Sequence, residues 1–337
     1  MRTGTRIALI KLSSLGDVVH ALPVAATLRA RLPGVHLTWI VERREAAVLR
    51  DHPALDAVVS IDTRRWRRPR GPRELAEVIH AVRQVGRELR DATFDVALDL
   101  QGLIKSGLLA AATRAPLRIG FSARRCREPL SAAFTNRRVE PPASVRHIVD
   151  QHLAILGPLG VNEPVREFRL PLDPGAEARA DEFLAARGMK AGRRLVILNP
   201  GSGQPHKRWP TERFRALAER LIEDAGADVL IVWGPGEETA AESIARAGVS
   251  RAVLAPPTDL YELMAFLRRA SVVVAADTGP LHLAAALEIP CVGLYGPTSA
   301  ARNGPYGAAH RSLQAPDGRV TTIAVPAVLH AVADLLA

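Results

Sequence analysis

Residues 272–282 read Val272-Val273-Val274-Ala275-Ala276-Asp277-Thr278-Gly279-Pro280-Leu281-His282. Five apolar residues without alternation indicate a strand covered on both faces, as in a parallel sheet. Asp277 ends the run, and Gly279-Pro280 opens a helix, with proline in a first turn where no N–H is missed. The same strand–turn–helix unit recurs outward in both directions. In the second half, strands are expected at Leu195–Asn199, Val229–Trp233, Ala252–Leu254, Val272–Ala276 and Cys291–Tyr295, with helices at about 211–225, 238–247, 259–269 and 280–287. In the first half, strands are expected at Arg6–Leu12, Leu37–Val41, Ala57–Ile61, Phe94–Leu100 and Leu117–Gly120, with helices at about 19–32, 43–51, 73–90 and 102–113. Such alternation means α/β domains built on doubly wound parallel sheets with helices on both faces.

The alternation pauses between about 140 and 192, where Pro141, Pro142, Pro164, Pro171 and Pro174 interrupt it and Asp173-Pro174-Gly175 reads as a turn. A linker near 162–175 then separates a domain over 1–165 from one over 172–322. A closing helix over 323–337 is expected to pack back on the first domain. In this architecture ligands bind outside the carboxyl ends of the strands.

At 337 residues and 47% hydrophobic, the chain has the material for two cores, which excludes a disordered or fibrous protein. Two cysteines, Cys126 and Cys291, cannot build a disulfide framework, and no His/Cys cluster has zinc spacing. No apolar run approaches the roughly 18 residues of a membrane span, and Ile7–Ile10 is too short for a signal-peptide core. The expectation is a cytoplasmic protein. Its net charge of +10 attracts anionic partners: phosphorylated sugars, nucleic acid or an anionic membrane surface. Arg64, Arg65, Arg67, Arg68, Arg70 and Arg73 crowd around Trp66, and Arg124, Arg125 and Arg127 form a second group. Aromatics at 4% make no stacking platform, which argues against a nucleic-acid binder.

Four segments could carry chemistry. Lys11-Leu12-Ser13-Ser14-Leu15-Gly16-Asp17 follows the first strand, where a dinucleotide fold would place G-x-G-x-x-G; that fingerprint is missing, so NAD is disfavoured. Asp17 either caps the following helix or takes the proton of an incoming hydroxyl as a general base. Asn199-Pro200-Gly201-Ser202-Gly203 through Lys207 offers a glycine-bent loop with backbone N–H groups for an anion and a point charge for phosphate, without the Walker pattern; the bland reading is a flexible loop with a solvated lysine. Asp277 and Thr278-Gly279 stand at a helix start, an anion site by its dipole. Asp277 could equally be a cap, and His282 one turn later is more often a hydrogen-bonding neighbour than a catalyst. Glu237 and Glu238 open a helix after Trp233-Gly234-Pro235-Gly236, either complementing its dipole or gripping ribose hydroxyls. Together the second-half segments describe a site for a nucleoside diphosphate, its charge met by Lys207 and backbone dipoles with no carboxylate cluster for a metal.

Lys11 with Ser13-Ser14-Leu15-Gly16-Asp17-Val18, Arg64-Arg65-Trp66-Arg67, Arg127-Glu128-Pro129-Leu130, Lys207-Arg208-Trp209-Pro210 and Asp277-Thr278-Gly279-Pro280-Leu281-His282 occur in this order, and in them the chain resembles the lipopolysaccharide heptosyltransferases of glycosyltransferase family 9, nearest the heptosyltransferase I branch. The resemblance implies a GT-B architecture: two Rossmann-like domains facing a central cleft. It implies an inverting glycosyltransferase that needs no metal or other cofactor, with ADP-L-glycero-D-manno-heptose as donor. The acceptor it implies is the Kdo sugar of the lipopolysaccharide inner core on lipid A, compatible with peripheral contact at the inner face of the cytoplasmic membrane. Asp17 is then the base and Lys207 stabilises the leaving diphosphate together with Ser202, Gly203, Thr278 and Gly279. Asp277 contacts the heptose, with His282 beside the donor, and Glu237 or Glu238 holds the ribose. Ser13, Ser14, Gly16, Arg64, Arg65, Arg67 and Arg127 meet the acceptor. Three details depart from the family's pattern: Leu12 before the serines, Ser202-Gly203 where two hydroxyl residues can stand, and Gln151 where arginine is usual.

Overall fold

The computed structural model describes residues 4–67, 71–189, 192–246 and 251–337, with Arg67 described in its backbone alone. The chain divides into two units, Met1–Arg169 and Leu170–Ala337, inside the linker expected over 162–175.

The first unit runs β1 (Arg6–Ile10), α1 (Leu15–Val19), α2 (Leu22–Arg31), β2 (His36–Glu42), β3 (Ala57–Ile61), α3 (Pro72–Asp91), β4 (Val96–Asp99), α4 (Ile104–Ala112), β5 (Leu117–Phe121), β6 (Arg137–Val139) and α5 (Ile148–Ala154). The second runs α6 (Pro174–Ala186), β7 (Leu195–Asn199), α7 (Thr211–Ala225), β8 (Asp228–Ile231), α8 (Glu238–Ala245), β9 (Ala252–Leu254), α9 (Leu260–Arg269), β10 (Val272–Ala276), α10 (Gly279–Ala286), β11 (Cys291–Tyr295), α11 (Ala300–Asn303), β12 (Arg311–Gln314) and α12 (Val325–Leu336). The sheets are ordered β3-β2-β1-β4-β5-β6 and β9-β8-β7-β10-β11-β12. Every strand pair is parallel, so the two units share one doubly wound topology. The strand order reverses between β1 and β4 and between β7 and β10, the switch points where such sheets open a crevice at their carboxyl ends.

Local sequence explains the elements. In α7, Phe214, Leu217, Ala218, Leu221 and Ile222 recur at helical spacing and are buried on the second sheet with Val196, Leu198 and Val229. Burial of a side chain such as Phe214 contributes about 1.5–3 kcal/mol. The helix stops at Gly226, whose φ of +62° a side chain would strain.

The differences from the sequence reading are informative. Asp173-Pro174-Gly175 is not a free turn: Asp173 accepts the Ala176 N–H at 2.9 Å and Pro174 opens α6, because the residues that favour a turn also start a helix. The segment where alternation paused carries α5 and α6. The expected helix over 43–51 shrinks to one 3-10 turn, Ala46–Leu49. Both sixth strands, β6 and β12, are short, largely exposed edge strands with no apolar run to reveal them. The buried face of α12 (Val328, Ala331, Val332) belongs to the core of the second unit, against α7, β10 and β11, which corrects the expectation that the closing helix packs on the first. Trp209 helps to hold it there, its indole N–H donating to Ile323 O at 2.9 Å.

Candidate active site

In the first unit the loop after β1 sits beside the loop after β4, because β1 and β4 are paired neighbours. Gln101 joins them. Its Oε1 accepts the Leu12 N–H at 2.7 Å and the Ser13 N–H at 3.3 Å, and its Nε2 donates to Ser13 O. Gln101 itself is turned by Asp99, which accepts the Gln101 and Gly102 N–H groups at 2.9 and 3.1 Å.

Asp17 is the third residue of α1, not its cap. Ser14 holds the cap position, and Asp17 Oδ2 accepts both the Ser14 N–H at 3.0 Å and the Ser14 hydroxyl at 2.9 Å. Its other oxygen lies 3.7 Å from the Nζ of Lys11, a lysine that is almost wholly buried while the carboxylate is 45% exposed. Lys11 also donates to Leu100 O at 3.0 Å and meets His152 Nε2 at 3.3 Å. His152 Nδ1 faces the carbonyl of His20 at 3.3 Å, so Nδ1 carries the proton and Nε2 offers its lone pair to the ammonium. Burial opposes the ionisation of Asp17, but the Lys11 charge and the two Ser14 hydrogen bonds outweigh it and hold the carboxyl below its ordinary range. An ionised oxygen therefore faces solvent at the carboxyl end of β1. Gly16 is buried in α1; Ser13 is half-buried and Ser14 exposed.

The arginine segment follows β3. Arg64 and Arg65 are exposed and line a groove of about 470 Å³ with Arg43, Asp62, Trp66 and the α3 carboxylates Glu74, Glu77 and Glu88. The groove is thus mixed in charge. The side chain of Arg67 and the residues Arg68 and Arg70 lie outside the described residues. The base of the segment is held by a buried network the sequence did not announce: Glu42 accepts the Thr63 N–H at 3.0 Å and its hydroxyl, and Lys105 donates to Glu42 at 3.1 Å and to Thr63 Oγ1 at 3.2 Å. Arg127 is exposed next to Glu128, whose carboxylate accepts the Ile104 N–H at 2.7 Å and whose own N–H donates to Gly102 O at 3.1 Å. That pins the Arg127 segment to the start of α4.

In the second unit three loops meet at the centre of the sheet, after β10, β7 and β8. Lys207 Nζ donates to Asp277 Oδ2 at 2.7 Å, and His282 Nε2 lies 3.1 Å from Asp277 Oδ1. All three side chains are at most 17% exposed. Burial alone would raise Asp277; His282 and Lys207 overcome it and hold the carboxyl far below the usual range. Asn199 Nδ2 donates to Thr278 Oγ1 at 3.2 Å, which ties the end of β7 to the start of α10. Ser202 is buried and Gly203 exposed; Ser202 O accepts Arg208 Nε at 2.9 Å. Lys207 and Trp209 divide their motif's work, one entering the ion pair and the other the core.

Glu237 and Glu238 separate clearly. Glu238 is exposed on α8. Glu237 accepts the Gly234 N–H at 2.9 Å and lies against Gly201, where an added Cβ would come within 1.7 Å of Glu237 Oε2. Neither Gly201 nor Gly203 adopts positive φ. Glycine at 201 leaves room for the Glu237 carboxylate packed on it and does not serve a left-handed turn, which corrects the sequence reading. Among the described residues no group of three or more His, Cys, Asp or Glu could hold a metal ion. No helix among them is long and apolar enough to cross a membrane.

Residues 82–322 match the model of glycosyltransferase family 9 (heptosyltransferase). The chain belongs to this family. It is a glycosyltransferase. Its relatives include lipopolysaccharide heptosyltransferase 1 of Escherichia coli K12, 31% identical over 98% of this chain and all of that protein. Solved glycosyltransferases share the GT-B type of fold. The E. coli heptosyltransferase WaaC with ADP has a TM-score of 0.80 and 29% identity over 98% of this chain and all of that one. A family 9 glycosyltransferase from Veillonella parvula has a TM-score of 0.85 and 24% identity over all of this chain and 98% of that one, a likeness of fold.

Proposed function

We propose that this glycosyltransferase moves L-glycero-D-manno-heptose from ADP-heptose to Kdo of the lipopolysaccharide inner core on lipid A, with inversion and without a metal. It works in the cytoplasm, at the inner face of the membrane that carries its acceptor. The observation that carries the reading is the Lys207–Asp277–His282 constellation at the start of α10, beside the Gly201 loop on which Glu237 rests. It supplies a cation, a helix start and an acid suited to a nucleoside diphosphate sugar. The heptosyltransferase named above, similar over nearly the whole chain, supports heptose as the sugar.

In this reading Asp17 accepts the proton of the acceptor hydroxyl as its oxygen forms a bond to C1 of the heptose. The bond from C1 to the phosphate oxygen breaks, and ADP departs with the electron pair. Lys207, the Thr278–Gly279 helix start and the backbone at Ser202–Gly203 neutralise the departing charge. Asp277 receives the heptose hydroxyls, with His282 orienting it; Glu237 rather than Glu238 receives the ribose. Ser13, Ser14, Gly16, Arg64, Arg65, Arg67 and Arg127 serve the acceptor, the arginines through paired bonds to carboxylate or phosphate. The test is incubation with ADP-heptose and Kdo-bearing lipid A, with and without EDTA, followed by mass spectrometry. A product heavier by one heptose in both is expected. Transfer from another nucleotide sugar alone overturns the donor assignment, and activity lost to EDTA and restored by magnesium overturns metal independence.

A further inference from the structure

Helix α5 carries a buried histidine that takes no part in the transfer steps. His152 is closed off from solvent, and its ring centroid lies 6.2 Å from that of Phe121 on β5. Its orientation is set where α5 begins and α1 ends. His147 caps α5, its Nδ1 accepting the Val149 N–H at 3.1 Å, and Gln151 donates to Val145 O and Arg146 O at 3.2 and 2.9 Å. The His147 ring meets the ring of His20 edge-on, and His20, the residue that closes α1, takes the Nδ1 proton of His152 on its carbonyl at 3.3 Å. That bond turns Nε2 toward Lys11 Nζ, also at 3.3 Å. A protonated ring would press two cations together in a buried place, so His152 is neutral and Nε2 is an acceptor.

The consequence lies in a distance. A lysine and a carboxylate in direct contact approach to about 2.7–2.9 Å, as Lys207 and Asp277 do at 2.7 Å in the second unit. Lys11 stops 3.7 Å from Asp17. Its ammonium donates instead to Leu100 O at 3.0 Å and to His152 Nε2. The ionisable groups around it are Asp17 of α1, Asp99 at the end of β4, whose carboxyl burial pushes up, and His152, with His20 and His147 beyond. The arginines of α2, the helix packed on α5, turn elsewhere: Arg29 pairs with Asp56 and Arg31 with Glu163. A base needs a lone pair for the proton it takes, and a contact ion pair would occupy one and weaken the base. At 3.7 Å the lysine charge supports the ionised carboxylate while Oδ1 accepts no hydrogen bond from it.

We propose that His152 is a positioning residue for the transfer: with Leu100 O it anchors the Lys11 ammonium short of hydrogen-bonding distance to Asp17, so that Asp17 is ionised and still able to take a proton. The inference rests on Asp17 as the base of the preceding section and adds the group that sets its strength.

The test compares His152→Phe, which keeps a ring and removes the acceptor, with His152→Gln, which puts an amide oxygen at the depth of Nε2. In the Phe variant the ammonium loses an acceptor and should close on Asp17. Its kcat is expected to fall about three- to tenfold, with both KM values within about twofold of wild type. The Asp17 carboxyl, followed by NMR in protein with isotope-labelled aspartate and assigned against Asp17→Asn, should titrate at a pH at least about 0.5 lower. The Gln variant should keep wild-type kcat and titration. In a Lys11→Met background His152→Phe should change neither, because it acts through the lysine. An Asp17 titration unmoved by His152→Phe, or moved equally by His152→Gln, makes His152 a core residue only and overturns the proposal. A titration moved upward also overturns it, since the ring would then be a second cation. If His152→Phe does not fold, His152→Asn takes its place with the same expectations, keeping the bond to His20 O while falling short of Lys11. The titration reads His152 whatever sugar is moved: should it shift as expected while Asp17→Asn keeps its turnover, the base assignment fails and the anchoring of Lys11 stands.

Discussion

Lys11 and Asp17, six residues apart, form a pair in which the cation is buried and the anion half open: Nζ lies 3.7 Å from Oδ1, with the lysine side chain 5% exposed. The lysine spends its remaining donors on Leu100 O and His152, so its position is fixed from three sides. Asp17 thus keeps its charge at the carboxyl edge of β1 without being covered by its partner.

Asp17→Asn is expected to lower kcat by about 10²–10⁴-fold, the usual contribution of a general base, with ADP affinity unchanged. Isothermal titration with ADP beside single-turnover transfer checks this. A folded variant that keeps more than half of wild-type turnover would leave Asp17 a helix-start residue only.

Lys11→Met should move the acid limb of kcat/KM to higher pH, since the cation that offsets the burial of Asp17 is gone. The sign follows from the depressed carboxyl. Ionised Asp17 supports the fold above its unfolded pKa near 3.8, and that support fades as pH falls through the lower folded value. In the variant the fading starts at higher pH. A pH–rate profile superposable on wild type would show that Lys11 does not tune Asp17.

Lys207→Ala should reduce transfer by about 10²–10³-fold, as loss of one charge-stabilising donor does in other sites. It also strands Asp277 beside His282 in a largely buried place, so the melting temperature should fall. An Asp277→Asn/Lys207→Ala double variant removes both charges and should recover much of the stability and none of the activity. Additive losses in the melting temperature would deny the pair its coupling.

Gly201→Ala should destabilise the protein, because the new methyl would occupy the place of the Glu237 carboxylate. Adding Glu237→Ala should restore the melting temperature but leave the donor KM raised. Glu238→Ala, on the exposed side of α8, should leave the donor KM within about twofold. If Glu238→Ala impairs donor use more than Glu237→Ala, the ribose assignment is reversed.

Arg64→Ala/Arg65→Ala should raise the acceptor KM several-fold and leave the ADP-heptose KM within about twofold, as expected when a contact is made equally in ground and transition states. Raised ionic strength should mimic the change, since both side chains are exposed. Unchanged acceptor kinetics at low salt would return these arginines to a solvated surface.

The sequence by itself determined the repeated strand–turn–helix unit, the parallel sheets and the segments that end in Asp17, Lys207 and Asp277. Those signals are local: an apolar run, a capping residue and a proline in a first turn act within a few residues of one another. Only the tertiary structure decided what those segments meet. Lys11 finds His152 across 141 positions, because α5 packs beside α2 with the His152 ring against the carbonyl of His20, and Lys207 finds Asp277 across 70, because parallel pairing of β7 with β10 brings distant loops to one edge. The choice of Glu237 over Glu238 rests on which carboxylate packs on Gly201, a contact between the loops after β7 and β8. The docking of α12 was equally out of reach: its apolar stripe states that one face is buried, and only the core formed by α7, β10 and β11 states where.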